Sequence, residues 1–296
     1  MPIQSPIPLT TMIAVTGATG QLGRLVIDHL LNRLRADQLV ALVRDPVKAT
    51  DLTGLGITVR QADYDDPASL EAALSGVEKV LLISSNEVGQ RLCQHRNVID
   101  AAKAAGVKFL NYTSVLHAER SLLGLAEEHR QTEAYLSASG LPFALLRNGW
   151  YTENYTASIP SALAHGALVG SAVNGLIASA ARADYAEAAA IVLAGPVESG
   201  QIFELAGDEA YTLSDLAAEL SRQSGKEIPY HDLAEADYRE LLLKAGLPEH
   251  FAALLADSDA AASRGALFDD DQQLSKLLGR PTTLLSESVR EALAKH

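Results

Sequence analysis

Met12-Ile13-Ala14-Val15-Thr16-Gly17-Ala18-Thr19-Gly20-Gln21-Leu22-Gly23 is the stretch that decides the fold. Its first five residues are apolar or β-branched and read as a buried strand. Leu22, Leu25, Val26, Leu30 and Leu34 then recur at helical spacing, so the glycines occupy a turn from strand to helix. Gly17 permits a tight turn, Gly20 lets backbone approach a ligand, and Gly23 lets the helix pack closely on the strand. A helix start offers unpaired N–H groups and the positive end of the helix dipole, which suits a phosphate. Strand, glycine turn and helix in this order are the context of a dinucleotide-binding fingerprint. The spacing is Gly-x-x-Gly-x-x-Gly, a looser match than Gly-x-Gly-x-x-Gly. Gly17, Ala18, Thr19, Gly20, Gln21, Leu22 and Gly23 are the candidate cofactor-binding residues of this turn.

Working outward, short apolar runs at Leu39–Val43, Ile57–Gln61, Val80–Ile83, Phe109–Thr113 and Phe143–Leu146 alternate with helical patterns. The helices are expected around Ser69–Leu74, Gln90–Ala105 and Glu127–Ala138. Strands without strict alternation, separated by helices, predict a parallel sheet covered on both faces. Right-handed crossovers make this an α/β, doubly wound, Rossmann domain. Beyond Arg147 the pattern loosens into a smaller, helix-rich C-terminal domain. It holds an Ala-rich helix at Ala183–Leu193, a strand at Ile202–Leu205, and a helix at Thr212–Ser224 that Gly225 stops. The expected division is 12–150 with 176–200 for nucleotide binding, 151–175 with 201–296 on the substrate side, and 1–11 as an extension.

The chain has 296 residues and a formal net charge of −13, which argues against nucleic-acid or anionic-membrane partners, since both need a basic surface. The charge is uneven. Residues 1–200 hold 15 basic and 19 acidic residues, whereas residues 201–296 hold 9 and 18. No apolar run approaches the ~20 residues of a membrane-spanning helix, and the first 11 residues lack a signal-peptide pattern. A cytoplasmic protein is expected. Cys93 is the one cysteine; it permits no internal disulfide, and mid-helix it is expected to be a small buried residue. No histidine or carboxylate spacing suggests a metal site. His95 with Arg96 reads as a solvated helix face, and His117 with Glu119 as a surface loop.

After the second strand comes Arg44, followed by Asp45. An NAD-selective site places an acid there to accept from the ribose hydroxyls. A guanidinium instead pairs with a 2′-phosphate through two hydrogen bonds. NADPH is the expected cofactor, with NADH the alternative. Asp63, after the third strand, either accepts from the adenine amino group or caps the turn before Asp65-Asp66-Pro67.

The ordered stretches TGATGQLG, ALVRDP, ITVRQADY, LLISS-EVGQR, HRNVIDAAKAAGVKF, YTS-LHA and LLRNGWY-ENY span almost the whole chain. Together they closely resemble the NmrA-like, atypical short-chain dehydrogenase/reductase family, above all its bacterial type 2 NAD(P)H:quinone oxidoreductase branch. Triphenylmethane reductase is a more distant branch. The resemblance implies NADPH bound between a Rossmann domain and a small C-terminal domain, and a quinone acceptor; the sequence leaves the oligomeric state open, a homo-oligomer included. It also implies that Ser84, Ser85, Asn86 and Glu87 touch the nicotinamide half, chiefly through backbone.

The same resemblance places Ser114 at the family's catalytic serine, and Leu125 and His129 where extended relatives carry a Tyr-x-x-x-Lys pair. The proton-donating pair is thus absent. A ketone reductase needs that acid to protonate an alkoxide. A quinone does not, because hydride addition gives a resonance-stabilised hydroquinone anion that water can protonate. No residue is assigned as catalytic, and His129 is either a substitute that bonds the nicotinamide ribose or a helix residue without a role. Positioning then carries the reaction. Three of the 15 aromatics fall in 150–155, after the sixth strand, where doubly wound folds place ligands. Asn148, Trp150, Tyr151 and Asn154 are the candidate acceptor pocket, with Asn148 also a cofactor candidate; ordinary packing is the alternative. The expected activity is NADPH-dependent reduction of quinones to hydroquinones. A reductase of another conjugated acceptor, such as a triphenylmethane dye, and a non-catalytic NADP(H) sensor are the competing readings.

Overall fold

The computed structural model describes residues 11–295. Of the extension expected over 1–11, only Thr11 falls within them. Seven strands form one parallel sheet: β1 (Ile13–Val15), β2 (Leu39–Val43), β3 (Thr58–Gln61), β4 (Lys79–Leu82), β5 (Phe109–Val115), β6 (Phe143–Asn148) and β8 (Gln201–Leu205). Their order is β3-β2-β1-β4-β5-β6-β8. The crossovers reverse direction between β1 and β4, which is where a doubly wound fold opens its ligand crevice. Ile13 pairs in register with Leu39 on one side and Lys79 on the other. β1 and β2 are buried along their whole length. That is why they read as continuous apolar runs rather than alternating ones.

Helices α1 (Gln21–Leu31), α2 (Thr50–Gly54), α3 (Pro67–Leu74), α4 (Arg91–Ala104) and α5 (Ala126–Ala138) lie between these strands. Leu70 and Leu74 of α3, Val98 and Ile99 of α4 and Leu136 of α5 close one core with Leu42, Val80, Leu82, Leu110 and Tyr112 of the sheet. Further along come α6 (Thr152–Thr156), α7 (Ile159–His165) and α8 (Arg182–Ala194). The half-buried Lys79 ammonium caps the end of α8, donating to the carbonyls of Leu193 and Gly195 at 3.0 Å each.

Contacts divide the chain into two compact units. One takes the chain up to Val115, with Glu128–Arg147 and Tyr185–Phe203; the other takes Leu116–Glu127, Asn148–Asp184 and the chain from Glu204 onward. The second unit contains α9 (Leu213–Ser224), α10 (Glu235–Lys244), α11 (Glu249–Ala262), α12 (Gln273–Leu278) and α13 (Leu285–Ala294). Thr212 caps α9 in a reciprocal box with Asp215, and Gly225 ends it. A two-stranded parallel sheet of β7 (Leu168–Gly170) and β9 (Tyr230–Asp232) is absent from the sequence reading, because three-residue strands containing Gly170 and His231 show no periodicity. Among the described residues no helix is long and apolar enough to cross a membrane.

Asp259 of α11 ties this second unit together. It is buried, accepting from the Ser171 amide at 3.0 Å and the Tyr155 hydroxyl at 3.2 Å. Burial, aided by nearby Asp232, raises its carboxyl to about 6 against the two hydrogen bonds that lower it. The folded pKa therefore exceeds the unfolded value of about 3.9. The protonated carboxyl contributes stability that is complete below about pH 4 and lost as pH rises through about 6. Urea-unfolding stability is expected to fall by roughly 3 kcal/mol across this window relative to Asp259→Asn. Parallel profiles for the two proteins would overturn this.

Candidate functional site

The turn after β1 is shaped by what lacks a side chain. Gly17 adopts φ +58°, and its carbonyl accepts from the Gly20 amide at 2.9 Å. A Cβ on Gly23 would lie 2.4 Å from the Gly17 carbonyl oxygen and 2.9 Å from Ala18 Cα. The first turn of α1 is therefore pressed onto the glycine turn at a distance only glycine allows. Ala18 and Leu22 are buried, Thr19 is half-buried and Gln21 is exposed. Gly20 stands at the N-cap and offers no side chain. Among the described residues, no group hydrogen-bonds the amides of Gln21, Leu22 and Gly23. An uncapped helix start with three free donors fits a dinucleotide pyrophosphate.

The segment leaving β4 is held from several sides. Thr16 Oγ1 accepts from the Ile83 amide at 3.0 Å, and Tyr64 donates to the same oxygen. Ser84 N donates to Thr113 Oγ1 at 2.8 Å. Ser85 N donates to His95 Nε2 at 2.9 Å, and the Ser85 carbonyl accepts from Arg91 Nε at 2.7 Å. Asn86 is exposed, and the Glu87 amide donates to Ser85 Oγ at 3.1 Å. As an acceptor at Nε2, His95 carries its hydrogen on Nδ1, 3.0 Å from Thr132 Oγ1, which itself donates to the Glu128 carbonyl. Burial, and then the Arg91 charge, push His95 down to about 3, so it stays neutral.

His95 is therefore not on a solvated face, and Cys93 is not buried: His95 is fully buried and Cys93 is exposed. The buried face of α4 runs through Arg91, Gln94, His95, Val98 and Ala102, at i, i+3, i+4 spacing, so position 93 points away. The polar residues that face inward grip the β4 exit. His117 also departs from the surface-loop reading. Its ring lies between Asp269 (Nε2–Oδ2 3.1 Å) and Glu204 (Nδ1–Oε2 3.6 Å), and its amide donates to Glu204 at 2.8 Å. Only carboxylates far along the chain explain that packing.

At the end of β2, Arg44 is exposed and pairs with Glu87 at 3.1 Å. Asp45 caps the following turn, its Oδ1 accepting from Val47 N at 3.0 Å. Asp63 also caps a turn, its Oδ1 accepting from Asp65 N at 3.1 Å.

Ser114 donates to Glu133, and Glu133 meets Arg147 in a buried bidentate pair of 3.0 and 2.7 Å. The hydroxyl at the family's serine position is thus committed within β5, α5 and β6. His129 is buried with Nδ1 2.7 Å from the Tyr112 hydroxyl, and burial holds it well below the ordinary histidine range. A neutral ring facing Tyr112 does not reproduce a lysine's charge.

In the second unit, Asn148 is buried and bonds the Tyr151 hydroxyl through its amide, while among the described residues its Oδ1 has no partner. The Arg182 guanidinium stacks on the Tyr151 ring, 4.6 Å from its centroid. Trp150 is nearly buried and Asn154 half-buried on α6. Tyr155, next to Asn154, is taken up by Asp259.

A family model described as NAD(P)H-binding matches residues 17–196. Quinone oxidoreductase 2 of Escherichia coli is 61% identical over 94% of this chain and 97% of its own. A crystal structure of an NADPH-dependent quinone oxidoreductase from that organism, complexed with NADPH, superposes with a TM-score of 0.93 at 60% identity, covering 95% of this chain and all of that one. Triphenylmethane reductase from Citrobacter sp., complexed with NADP(H), has a TM-score of 0.91 at 38% identity over 95% and 99% of the two chains. With its glycine turn, uncapped α1 and sheet order, the chain belongs to the NAD(P)H-binding, NmrA-like family.

Proposed function

We propose that this protein reduces quinones to hydroquinones with NADPH as the reductant. The carrying observation is the α1 N-terminus, where three unpaired amides face a turn that a single Cβ at Gly23 would obstruct. NADPH, when bound, supplies the hydride. Gln21, Leu22 and Gly23 hold the pyrophosphate through their amides, and Arg44 pairs with the 2′-phosphate. The Ser84–Glu87 backbone, fixed by Thr113, His95 and Arg91, orients the nicotinamide side. Trp150, Tyr151 and Asn154 receive the flat acceptor, and the unpaired Asn148 Oδ1 takes a hydrogen-bond donor from a ligand.

No side chain is required as a proton donor, because the hydroquinone anion takes its proton from water. Neutral His129, bonded to Tyr112, is consistent with that economy. An exposed Cys93 thiol suits the reducing cytoplasm. Followed by absorbance, NADPH is expected to be oxidised on addition of a small benzoquinone, with a triphenylmethane dye as the parallel acceptor. Tight NADPH binding without turnover of either would overturn the enzymatic reading and leave a sensor; turnover of the dye alone would replace the acceptor.

Arg44→Ala is expected to weaken NADPH by about 10- to 100-fold, the loss of a charge-assisted contact, with a far smaller effect on NADH. Equal losses for both would show that Arg44 does not read the 2′-phosphate.

A further inference from the structure

The Arg44–Glu87 pair joins two segments that are not neighbours in the sheet. Arg44 leaves the C-terminal end of β2, and Glu87 follows β4, while β1 and its glycine turn lie between them. Strands spaced about 4.8 Å apart put β2 and β4 about 10 Å from each other. The guanidinium and carboxylate nevertheless meet at 3.1 Å, so both side chains reach over the end of β1.

The two partners are held unequally. Glu87 Oε2 accepts from Gln94 Nε2 at 3.0 Å, and Gln94 is buried on α4. The backbone of Glu87 is tied to Ser85, which Arg91 and His95 fix on both sides of its peptide. Arg44 is 68% exposed, and among the described residues Glu87 is its only hydrogen-bonded partner. An anchored anion thus occupies an exposed cation.

We infer that Glu87 is a specificity-determining residue: it competes with the 2′-phosphate for Arg44 and so moderates the preference for NADPH over NADH. This rests on the reading that Arg44 meets the 2′-phosphate. NADP(H) must exchange one anion for another on the same guanidinium and leave a carboxylate nearby. NAD(H), without the phosphate, has no need to displace it. Glu87→Gln keeps the shape and the acceptor for Gln94 while removing the charge.

The test uses the non-reacting oxidised cofactors, NADP+ and NAD+, with dissociation constants from calorimetry for the wild type, Glu87→Gln, Arg44→Ala and the double variant. Glu87→Gln is expected to raise the NADP+/NAD+ affinity ratio about three- to tenfold, the scale of one exposed pair plus a relieved like-charge contact. The gain is expected to vanish in the Arg44→Ala background. A ratio unchanged or lowered by Glu87→Gln, or a gain that persists without Arg44, overturns the role of Glu87. If Arg44→Ala alone leaves the ratio unchanged, the reading of Arg44 itself fails, and the role of Glu87 falls with it.

Discussion

Glu133→Ala is expected to destabilise the protein by about 3–5 kcal/mol, the cost of stranding one partner of a buried ion pair. The side chains of Arg147 and Glu133 are only 8% and 11% exposed, so water does little to screen the charge that remains. The bidentate geometry also fixes β6 against α5, and Ser114 of β5 shares the same carboxylate. One truncation therefore loosens three elements of the first unit. Arg222 and Glu219 make an equally short contact on the surface of α9. With Arg222 66% exposed, Glu219→Ala is expected to cost no more than about 1 kcal/mol. Urea unfolding of both variants checks the contrast, and similar losses would show that burial does not govern the Glu133 pair.

Gly23→Ala is expected to abolish tight NADPH binding, weakening it by more than about 100-fold, a 1 Å-scale misplacement of positioning groups. The added methyl meets backbone atoms, the Gly17 carbonyl and Ala18 Cα, which cannot swing aside as a side chain would. The first turn of α1 must lift away, carrying the three free amides with it. Alanine's better helix propensity returns about 1 kcal/mol, less than the strain of overpacking at about 1–3 kcal/mol. Gly54, in α2, is the control, because a Cβ there meets nothing within 4 Å. Gly54→Ala should be neutral or stabilising by up to about 1 kcal/mol, with cofactor binding intact. Unaltered NADPH affinity in Gly23→Ala would refute the close-approach role of this glycine.

The parallel sheet was legible because its strands are short apolar runs buried on both faces, and their ends fall within two residues of the reading. The glycine turn was legible because the required backbone approach admits one residue type. The position of Arg44 at the end of β2 was legible too, but its pairing with Glu87 was not. What escaped depended on partners distant in sequence. His95 and Arg91 look polar, and only the inward face of α4 reveals that they clamp the β4 exit. The burial of Asp259 and the packing of His117 are likewise set by residues more than 80 positions away. The β7–β9 pair is too short to carry a period of its own.

The missing N-cap of α1 has a consequence for the lifetime of the protein. Gly20 at that N-cap supplies no side-chain acceptor, and on the proposed reading the place falls to the pyrophosphate of the cofactor. On that reading bound cofactor completes the helix, and mass action then adds about 2.7 kcal/mol of stability at a hundredfold excess over Kd. A cell whose NADP(H) pool runs down, oxidised and reduced forms together, therefore does more than starve the enzyme of reductant. It withdraws part of the fold, and the protein's resistance to unfolding and proteolysis becomes a running gauge of cofactor supply.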